Sequence, residues 1–235
     1  MTEAPDYTAE IIEIKHLTED VIELHLGFLS GQQLSYVSGQ FMEFLIQDQG
    51  REYSIANPMS SGNDVIRFCI KRYPGGLTDK WLSEAEQGQK IFLRGPYGNF
   101  YPQPEDNNRN WLCIATGVGI APFCGIIPAA LQSGYFNQIK LLFGVHAVTD
   151  LFYQDKFESL AAEYSNFQFI PMLSQPSPNW VGQTGRITDY IANNHEVFKD
   201  WLSFVCGSLV AVQDGRKALL VAGFPARDIR TESFS

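Results

Sequence analysis

The chain has 235 residues, of which 45% are hydrophobic and 13% aromatic, enough for the cores of two domains and far from a disordered composition. Its formal net charge of −9 argues against a general nucleic-acid or anionic-membrane binder, but it leaves room for local sites that bind nucleotide cofactors. The first residues lack the basic and apolar segments of a signal peptide, and no apolar run reaches about 18 residues. We therefore expect a cytoplasmic protein without a membrane span.

The first hundred residues predict an antiparallel β-barrel. Short apolar–polar alternations, typical of strands with one buried face, recur between turn residues. They cover residues 9–14, 21–26, 41–46, 65–71 and 90–94. One helix is expected over residues 78–86, started by Thr78 and Asp79 and stopped by Gly88.

Residues 51–54, R-E-Y-S, bring a cation, an aromatic ring and a hydroxyl to a strand end. Because side chains alternate along a strand, Arg51 and Tyr53 share a face. A guanidinium binds phosphate through two parallel hydrogen bonds, a phenol ring stacks on an isoalloxazine, and Ser54 offers a hydroxyl to the reactive edge of a flavin. Taken by itself, the segment is also compatible with a plain strand end that carries an exposed arginine and a half-buried tyrosine.

Residues 68–78 have the pattern of a strand, a glycine turn and the start of a helix. The backbone N–H groups of Gly76, Leu77 and Thr78 would face an anion there, helped by the helix dipole. An ordinary glycine turn capped by Thr78 is the alternative. Together with Arg51, the segment favours a site for a pyrophosphate.

The chain changes character after residues 102–110, a proline- and asparagine-rich segment that predicts a domain boundary near 103–109. Compact apolar runs, typical of buried parallel strands, then alternate with helical segments. The expected strands are 111–116, 139–145, 167–173 and a segment around 204–206, and the expected helices are 120–133, 155–164, 187–194 and 208–222. This alternation predicts a doubly wound parallel α/β domain.

A glycine loop at residues 116–122, T-G-V-G-I-A-P, joins the first of these strands to a helix and suits the pyrophosphate of a second nucleotide. Pro122 stands where dinucleotide-binding loops have a third glycine, and it suits a first helical turn because its missing N–H costs nothing there. Two later strand ends, residues 144–146 and 206–208, fit the rule that ligands bind at the carboxyl edge of a parallel sheet.

The cysteines and histidines are scattered along the chain. No two of the four cysteines lie within four residues of each other, so the spacings typical of zinc and iron–sulfur sites are absent from the sequence. We expect no metal centre built by this chain. An electron acceptor would then have to be external.

Four motifs follow one another along the chain: R-E-Y-S at 51–54, P-G-G-L-T at 74–78, G-P-Y-G-N-F at 95–100 and T-G-V-G-I-A-P at 116–122. In this order they resemble the ferredoxin–NADP⁺ reductase superfamily. The sequence is most similar to NAD(P)H–flavin reductases and to the reductase components of bacterial oxygenases without their iron–sulfur domain. The resemblance implies an FAD-binding β-barrel in residues 1–103 and an NAD(P)-binding domain in residues 109–235.

By position, the resemblance implies that Arg51 holds a flavin phosphate, that Tyr53 stacks on the flavin and that Ser54 contacts its N5 atom. The backbone of residues 68–71 would lie along the flavin, and that of residues 75–78 would bind the pyrophosphate. The implied cofactor-binding residues of the barrel are Arg51, Glu52, Tyr53, Ser54, Phe68, Cys69, Ile70, Lys71, Gly75, Gly76, Leu77 and Thr78.

In the second domain, the resemblance implies contacts of the nicotinamide nucleotide with strand ends and loops. The implied residues are Thr116, Gly117, Gly119, Pro122, Gly144, His146, Cys206, Gly207 and Ser208. Beside the nicotinamide, the small thiol of Cys206 would leave room for hydride transfer, although a buried cysteine is also commonly a plain apolar residue. Relatives often carry arginine where His146 stands. Because a mostly neutral imidazole is a poorer partner for a 2′-phosphate, we expect NADH or dual use rather than a preference for NADPH.

The C-terminus carries an aromatic residue, Phe234, close to Glu232. Relatives often end with an aromatic ring that covers the flavin face, and Phe234 could take that role with Glu232 nearby. The alternative is a frayed tail. The expected catalytic residues are Ser54, Cys206, Glu232 and Phe234, which shape the contact with the ligands and do not act as nucleophile or base.

These features predict a flavoprotein reductase that passes a hydride from NAD(P)H to bound FAD, and then electrons to an external iron–sulfur protein such as a ferredoxin, or to an oxygenase component. One alternative is a flavin reductase that uses free flavin as a substrate, although the P-G-G-L-T segment favours bound FAD. Another is a non-catalytic subunit that senses redox state through a bound nucleotide. His146 and L-V-A-V at 209–212, where relatives often carry prolines and methionine, favour that reading. A barrel that binds an apolar ligand would leave the second domain unexplained.

Overall fold

The computed structural model describes residues 6–28, 34–59 and 65–234. These residues form two compact units. The first extends to Tyr101 and also includes Ala121–Ala129. The second consists of Pro102–Ile120 and the chain from Ala130 onward.

The first unit is built on a six-stranded antiparallel sheet. The strands are β1 (Asp6–His16), β2 (Val21–Phe28), β3 (Phe41–Ile46), β4 (Gln49–Ser54), β5 (Val65–Lys71) and β6 (Lys90–Tyr97). Their order is β4-β3-β6-β1-β2-β5, which puts β4 and β5 at the two ends. Directly after β4, Ile55 bridges Phe68, and the N–H of Ala56 donates to the carbonyl of Arg67 at 2.7 Å. These links join the two ends, so the predicted antiparallel barrel is confirmed.

Burial of alternate side chains explains the barrel. In β2, Ile22, Leu24 and Leu26 are almost fully buried, as expected for the inner face of a strand. The alternation of side chains along a strand directs Glu23 and His25 away from this core. Glu23 is nevertheless 5% exposed, and its carboxylate lies 2.7 Å from Nε2 of His25. A hydrogen-bonded partner allows a carboxylate to be buried on the outer face.

The helix of the first unit, α1 (Leu77–Glu84), starts and ends earlier than predicted. Gly76 occupies the N-cap position, so Thr78 is the second residue of the helix and not its cap, and its hydroxyl lies 2.6 Å from that of Tyr53. At the other end, the N–H of Glu86 donates to the side chain of Gln89 at 3.1 Å and is lost to the helix. Gly88, with φ +87°, therefore lies in the turn that follows the helix and does not stop it.

The second unit is built on a six-stranded sheet in which all pairs are parallel. The strands are β7 (Trp111–Thr116), β8 (Ile139–Val145), β9 (Phe167–Leu173), β10 (Gln183–Thr184), β11 (Leu202–Ser208) and β12 (Ile229–Phe234). The helices that follow β7, β8, β10 and β11 are α2 (Phe123–Gln132), α3 (Gln154–Glu163), α4 (Ile187–Asn194) and α5 (Leu209–Val221). Most of α2, residues 123–129, belongs to the first unit. The order β10-β9-β8-β7-β11-β12 places the switch in winding direction between β7 and β11.

Apolar side chains cover both faces of the parallel sheet. Leu142 of β8 belongs to a buried cluster that includes Ile191 of α4 and Leu219 of α5. The next residue, Phe143, lies in a separate aromatic group, with its ring centroid 6.4 Å from that of Phe169. Because neighbouring strand residues point to opposite faces, helices and aromatic rings cover both sides, and the predicted doubly wound fold is confirmed.

Three features of the second unit differ from the prediction. A 3₁₀ turn over Gly117–Ile120 precedes α2, so the first α-helix begins at Phe123. The segment predicted to be a linker contains a short 3₁₀ helix, Pro104–Asp106. The terminal strand β12 and the two-residue strand β10 were not predicted. None of the helices among the described residues has the length and apolar character that a membrane crossing requires.

Ion pairs hold the segment after the first unit against the last strand of the second. Both guanidinium Nη groups of Arg109 bind the carboxylate of Asp228, at 2.7 and 3.0 Å. Arg230 pairs with Asp106 at 2.6 Å. The hydrogen bond from Arg109 is the main cause that lowers the pKa of Asp228 below its ordinary value of 3.8.

Replacing Asp228 with asparagine is expected to reduce the free energy of unfolding by about 1–3 kcal/mol at neutral pH, the usual contribution of hydrogen bonds to a charged group. Because the pKa of Asp228 is lower in the folded state, its contribution is complete above 3.8 and is lost as the pH falls through the folded-state value. Urea titrations at pH values above and below this window measure the difference. Asp214→Asn, at an exposed position, is the matched control. An Asp228→Asn variant as stable as this control would contradict the assignment.

Candidate functional site

Arg51 and Tyr53 lie on the same face of β4, as predicted. In the antiparallel register they stand opposite Phe44 and Met42 of β3. Arg51 is exposed, and its guanidinium donates to the carbonyl of Gly50 at 2.7 Å and to the side chain of Gln49 at 3.2 Å. These bonds use two of its five N–H groups, which leaves donors for a phosphate.

The ring of Tyr53 is fixed from two sides. Its centroid lies 4.8 Å from that of Phe44 in an edge-to-face arrangement, and its hydroxyl lies 2.6 Å from Oγ1 of Thr78 in α1. Burial raises the pKa of Tyr53, so the phenol stays neutral. The residue is partly exposed. A neutral, fixed and partly accessible ring has the properties that stacking on a flat heterocycle requires.

At the end of β4 and along β5, the predicted site residues have buried side chains. Ser54 is 2% exposed and closes β4. Phe68 and Ile70 are fully buried in the barrel core, and Cys69 is also buried, so these residues reach a ligand through the main chain only. This arrangement agrees with the predicted role of the β5 backbone, which stays a prediction.

Two predicted residues of this region have side chains directed away from the others. Strand alternation places Glu52 opposite Glu43, on the face that does not carry Arg51 and Tyr53. The ammonium of Lys71 pairs with Asp20 at 3.0 Å. The structure therefore does not bring the side chain of Glu52 together with those of Arg51 and Tyr53.

The glycine turn before α1 corrects one prediction. The N–H of Gly76 donates to the carbonyl of Tyr73 at 2.9 Å, inside the turn, so this group is not the anion donor that the sequence indicated. The bond from the N–H of Lys80 to the carbonyl of Gly76 starts the helical ladder. The N–H groups of Leu77 and Thr78 precede it and are left for an anion at the helix N-terminus.

An acidic side chain that the sequence analysis treated only as a helix start belongs to this turn. Asp79 accepts from the N–H of Gly75 at 3.0 Å and from Nε of Arg72 at 2.8 Å. Both bonds lower the pKa of Asp79, and the bond from Gly75 contributes more than the bond from Arg72. Gly75 has φ +77°, a conformation that glycine adopts without strain.

In the second unit, the glycine loop after β7 lies directly against the end of β11. A Cβ atom on Gly119 would stand 2.3 Å from the carbonyl oxygen of Cys206, and one on Gly207 would stand 2.1 Å from Oγ1 of Thr116. Only glycine allows these approaches. The predicted residues Thr116, Gly119, Cys206 and Gly207 are therefore brought together at the switch point of the sheet.

Cys206 lies beside the last strand. It is 1% exposed and pairs with Glu232 of β12 in the parallel register. Burial raises the pKa of the Cys206 thiol well above its ordinary value, and the charge of Glu232 adds to this rise. The thiol is therefore a small, neutral group.

The C-terminal residues are ordered to the end of β12. Phe234 pairs with Ser208 at the end of β11, so the alternative of a frayed tail is wrong for the described residues. The hydroxyl of Ser208 accepts from the N–H of Ala211 at 3.3 Å and caps α5. Whether Phe234 covers a flavin stays a prediction.

The remaining predicted residues extend the same carboxyl edge. Gly144, near the end of β8, faces α4, and a Cβ atom there would lie 2.8 Å from Cδ1 of Ile187. His146 is exposed, and its Nδ1 lies 3.0 Å from Oγ of Ser174, which follows β9. Pro122 lies directly before α2, and not within its first turn as expected, and its carbonyl accepts from the N–H of Ile126 at 3.0 Å.

The two sets of residues suit two different nucleotides. The barrel offers a guanidinium, N–H groups at a helix N-terminus and a fixed aromatic ring, which match the diphosphate and the ring system of a flavin dinucleotide. The parallel sheet offers a glycine-lined edge at its switch point, the usual place for a nucleotide in this kind of fold. Among the described residues, no three or more His, Cys, Asp and Glu side chains are grouped to hold a metal ion.

Comparisons with known protein families match both parts of the chain. Residues 8–101 match the oxidoreductase FAD-binding domain family. Residues 113–217 match the oxidoreductase NAD-binding domain family. The two matches fall on the barrel and on the parallel sheet, in the predicted order.

Similar proteins show the same combination. The reductase subunit of an aromatic O-demethylase from Amycolatopsis sp. is 31% identical over 237 residues, which cover 98% of this chain and 70% of the relative. The electron transfer component of toluate 1,2-dioxygenase from Pseudomonas putida is 28% identical over 237 residues, covering 100% of this chain and 69% of the relative. The solved structure of the Amycolatopsis cytochrome P450 reductase GcoB has a TM-score of 0.91 at 28% identity, and covers 100% of this chain and 71% of that one.

These relatives are reductases and electron transfer components, which supports an oxidoreductase over the alternative of a non-catalytic sensor. The family matches support FAD and a pyridine nucleotide as its cofactors. The site residues of each unit, the two family matches and a similarity that covers at least 98% of this chain therefore lead to one conclusion. The chain belongs to the ferredoxin–NADP⁺ reductase superfamily.

Proposed function

We propose that residues 1–103 bind FAD, that residues 109–235 bind NADH, and that the chain delivers electrons to a protein partner. The observation that carries this proposal is the presence in one chain of a flavin-type site on β4 and α1 and a glycine-lined nucleotide edge at β7 and β11. Bound FAD would supply the redox chemistry that links a two-electron hydride donor to the acceptor.

The proposed roles on the barrel are binding and orientation. Arg51 and the N–H groups of Leu77 and Thr78 bind phosphate oxygens, because the guanidinium is exposed and the two N–H groups stand in the first turn of α1. The ring of Tyr53, fixed by Thr78 and Phe44, orients the flavin by stacking. The hydroxyl of Ser54 lies at the strand end, where it binds the reactive edge of the ring system.

On the parallel sheet, the proposed roles are to admit the nicotinamide and to exclude water. Gly119 and Gly207 permit close approach of the loop and β11. Cys206 is almost fully buried and burial keeps its thiol protonated, so it adds no charge beneath this edge of the sheet. Glu232 and Phe234 of β12 lie opposite Cys206 and Ser208 at the same edge. Orientation of the reactants supplies the main part of the rate, and a general base is not required for hydride transfer.

We infer a protein acceptor, an oxygenase component or an iron–sulfur protein, from the relatives. One is named as the reductase subunit of an O-demethylase and another as the electron transfer component of a dioxygenase. Free flavin as a second substrate is the competing possibility, and it requires a flavin that dissociates between turnovers.

The proposed function is tested with the purified chain under anaerobic conditions. Mixing with NADH should bleach the flavin absorbance at about 450 nm. A flavin that stays on the protein through gel filtration supports bound FAD. An acceptor screen with oxygenase components, ferredoxins and free FMN then identifies the partner. If the chain bound FAD but neither NADH nor NADPH reduced this flavin, the reductase proposal would be wrong.

Replacing His146 with arginine is expected to raise kcat/KM for NADPH by about 10-fold, because hydrogen bonds between an arginine and a phosphate contribute roughly 1.5–3 kcal/mol. The value for NADH should change little. In the present chain Nδ1 of His146 is bonded to Ser174, and its exposed position leaves space for the longer side chain. Steady-state kinetics with both nucleotides measure the ratio, and Lys217→Arg on α5 is the control. If the ratio of kcat/KM for NADPH to that for NADH did not change, residue 146 would not lie beside the 2′-position of the nucleotide.

A further inference from the structure

The turn before α1 contains a negative charge at the place where the proposed function puts a diphosphate. Both carboxylate oxygens of Asp79 are engaged, one by the N–H of Gly75 at 3.0 Å and the other by Nε of Arg72 at 2.8 Å. Asp79 lies in the first turn of the helix, beside the N–H groups of Leu77 and Thr78. An anion bound to those groups would therefore meet a carboxylate of the same charge.

We propose that Arg72 and Asp79 are a positioning pair that determines the affinity of the barrel for the flavin diphosphate: Asp79 fixes the glycine turn, and Arg72 neutralises Asp79. This inference rests on the proposed function of the barrel. It assigns to neither residue a direct contact with the flavin.

The role of Asp79 follows from its bond to the turn. Gly75 has φ +77°. Apart from its two chain neighbours, none of the residues that the structure describes has a heavy atom within 4 Å of the position that its Cβ would take, so side-chain packing does not fix this turn. The bond to Asp79 fixes it instead, together with the bond from the N–H of Gly76 to Tyr73. A turn that is ordered in advance costs less entropy when a ligand binds.

The role of Arg72 follows from its geometry. Its Nε points at Asp79, and its side chain is 30% exposed, against 18% for Asp79. A guanidinium at 2.8 Å cancels most of the field of the carboxylate at the helix N-terminus. Without Arg72, the carboxylate would repel the phosphate groups that Leu77 and Thr78 are proposed to bind.

A double-mutant cycle distinguishes the proposed positioning role of Arg72 from a direct contact between Arg72 and the phosphate groups. The dissociation constant of FAD is measured by fluorescence titration of apoprotein in the wild type, Arg72→Gln, Asp79→Asn and the double variant. We expect Arg72→Gln to weaken binding by about 10-fold, because an unpaired carboxylate then faces the diphosphate. Asp79→Asn should stay within about threefold, since the amide oxygen still accepts from Gly75 and carries no charge. The double variant should return to the level of Asp79→Asn.

Further measurements complete the test. Asp79→Ala removes the acceptor as well as the charge and is expected to weaken binding by about 10-fold through loss of the ordered turn. Lys80→Gln, a neighbouring exposed cation, is the control for general electrostatics and should stay within about threefold. The deficit of Arg72→Gln should shrink with added salt, because ions screen the repulsion. Circular dichroism confirms that each variant is folded.

The outcomes differ clearly. A double variant as weak as Arg72→Gln would mean that Arg72 contacts the phosphates itself, and the inference would be overturned. An Arg72→Gln variant with wild-type affinity would also overturn it. If the wild-type barrel bound no FAD at all, the proposed function would fail instead.

Discussion

Replacing Arg51 with alanine is expected to weaken FAD binding by about 10- to 100-fold, the effect of losing hydrogen bonds to a charged phosphate. Arg51 is exposed. Within the part of the chain that the structure describes, its side chain makes hydrogen bonds only to its neighbours Gly50 and Gln49. The substitution should therefore leave the stability of the barrel within about 0.5 kcal/mol of the wild type. A separation of affinity from stability is the signature of a binding residue.

Equilibrium dialysis of FAD and a thermal melt of the apoprotein measure the two quantities. Arg51→Lys keeps the charge but loses the forked geometry, so it should fall between the wild type and the alanine variant. Arg216→Ala on α5 removes an exposed arginine from the other unit and controls for net charge. If Arg51→Ala bound FAD with wild-type affinity, the assignment of the phosphate site to Arg51 on β4 would be wrong.

Local sequence pattern is most informative where a buried face determines it. β3, β5 and α4 have the predicted bounds, because their apolar side chains alternate or repeat with the period of the element. β12 was missed for the opposite reason. Its polar residues Arg230, Thr231, Glu232 and Ser233 give no apolar alternation, and the segment is a strand because it pairs with β11. Pairing with a distant segment is a tertiary effect that a local pattern does not contain.

The candidate site was predictable in its members but not in its contacts. The glycine loop indicated Gly119 and the family resemblance implied Cys206, which is far away in the chain. Only the structure shows that the carbonyl oxygen of Cys206 would lie 2.3 Å from a Cβ atom on Gly119. The same holds for Arg72 and Asp79. Asp79 has the sequence signature of a helix start, and nothing in its spacing indicates that its carboxylate ties the glycine turn to a guanidinium. Side-chain partners across a turn depend on backbone angles that sequence alone does not give.

Replacing Gly119 with alanine is expected to reduce the rate of flavin reduction by NADH by about 100-fold or more, while FAD stays bound. The added Cβ would stand 2.3 Å from the carbonyl oxygen of Cys206 and 2.7 Å from the α-carbon of Gly207, so the glycine loop or the end of β11 must move. These contacts involve backbone atoms, which cannot rotate away as a side chain would. A displacement of about 1 Å at a site that orients a hydride donor costs roughly 100-fold in rate.

Anaerobic stopped-flow spectroscopy at several NADH concentrations separates the two ways in which this substitution could act. A displaced loop should raise the apparent dissociation constant of NADH and lower the limiting rate together, because the same backbone both binds and orients the nucleotide. Gly223→Ala is the matched control: its φ of +91° makes alanine unfavourable by about 1–2 kcal/mol, yet nothing lies within 4 Å of the added Cβ. It should lower the melting temperature and leave the reduction rate unchanged. If Gly119→Ala were folded and reduced as fast as the wild type, the glycine loop after β7 would not be the nucleotide site, and the proposed path of electrons through this edge of the sheet would have to be abandoned.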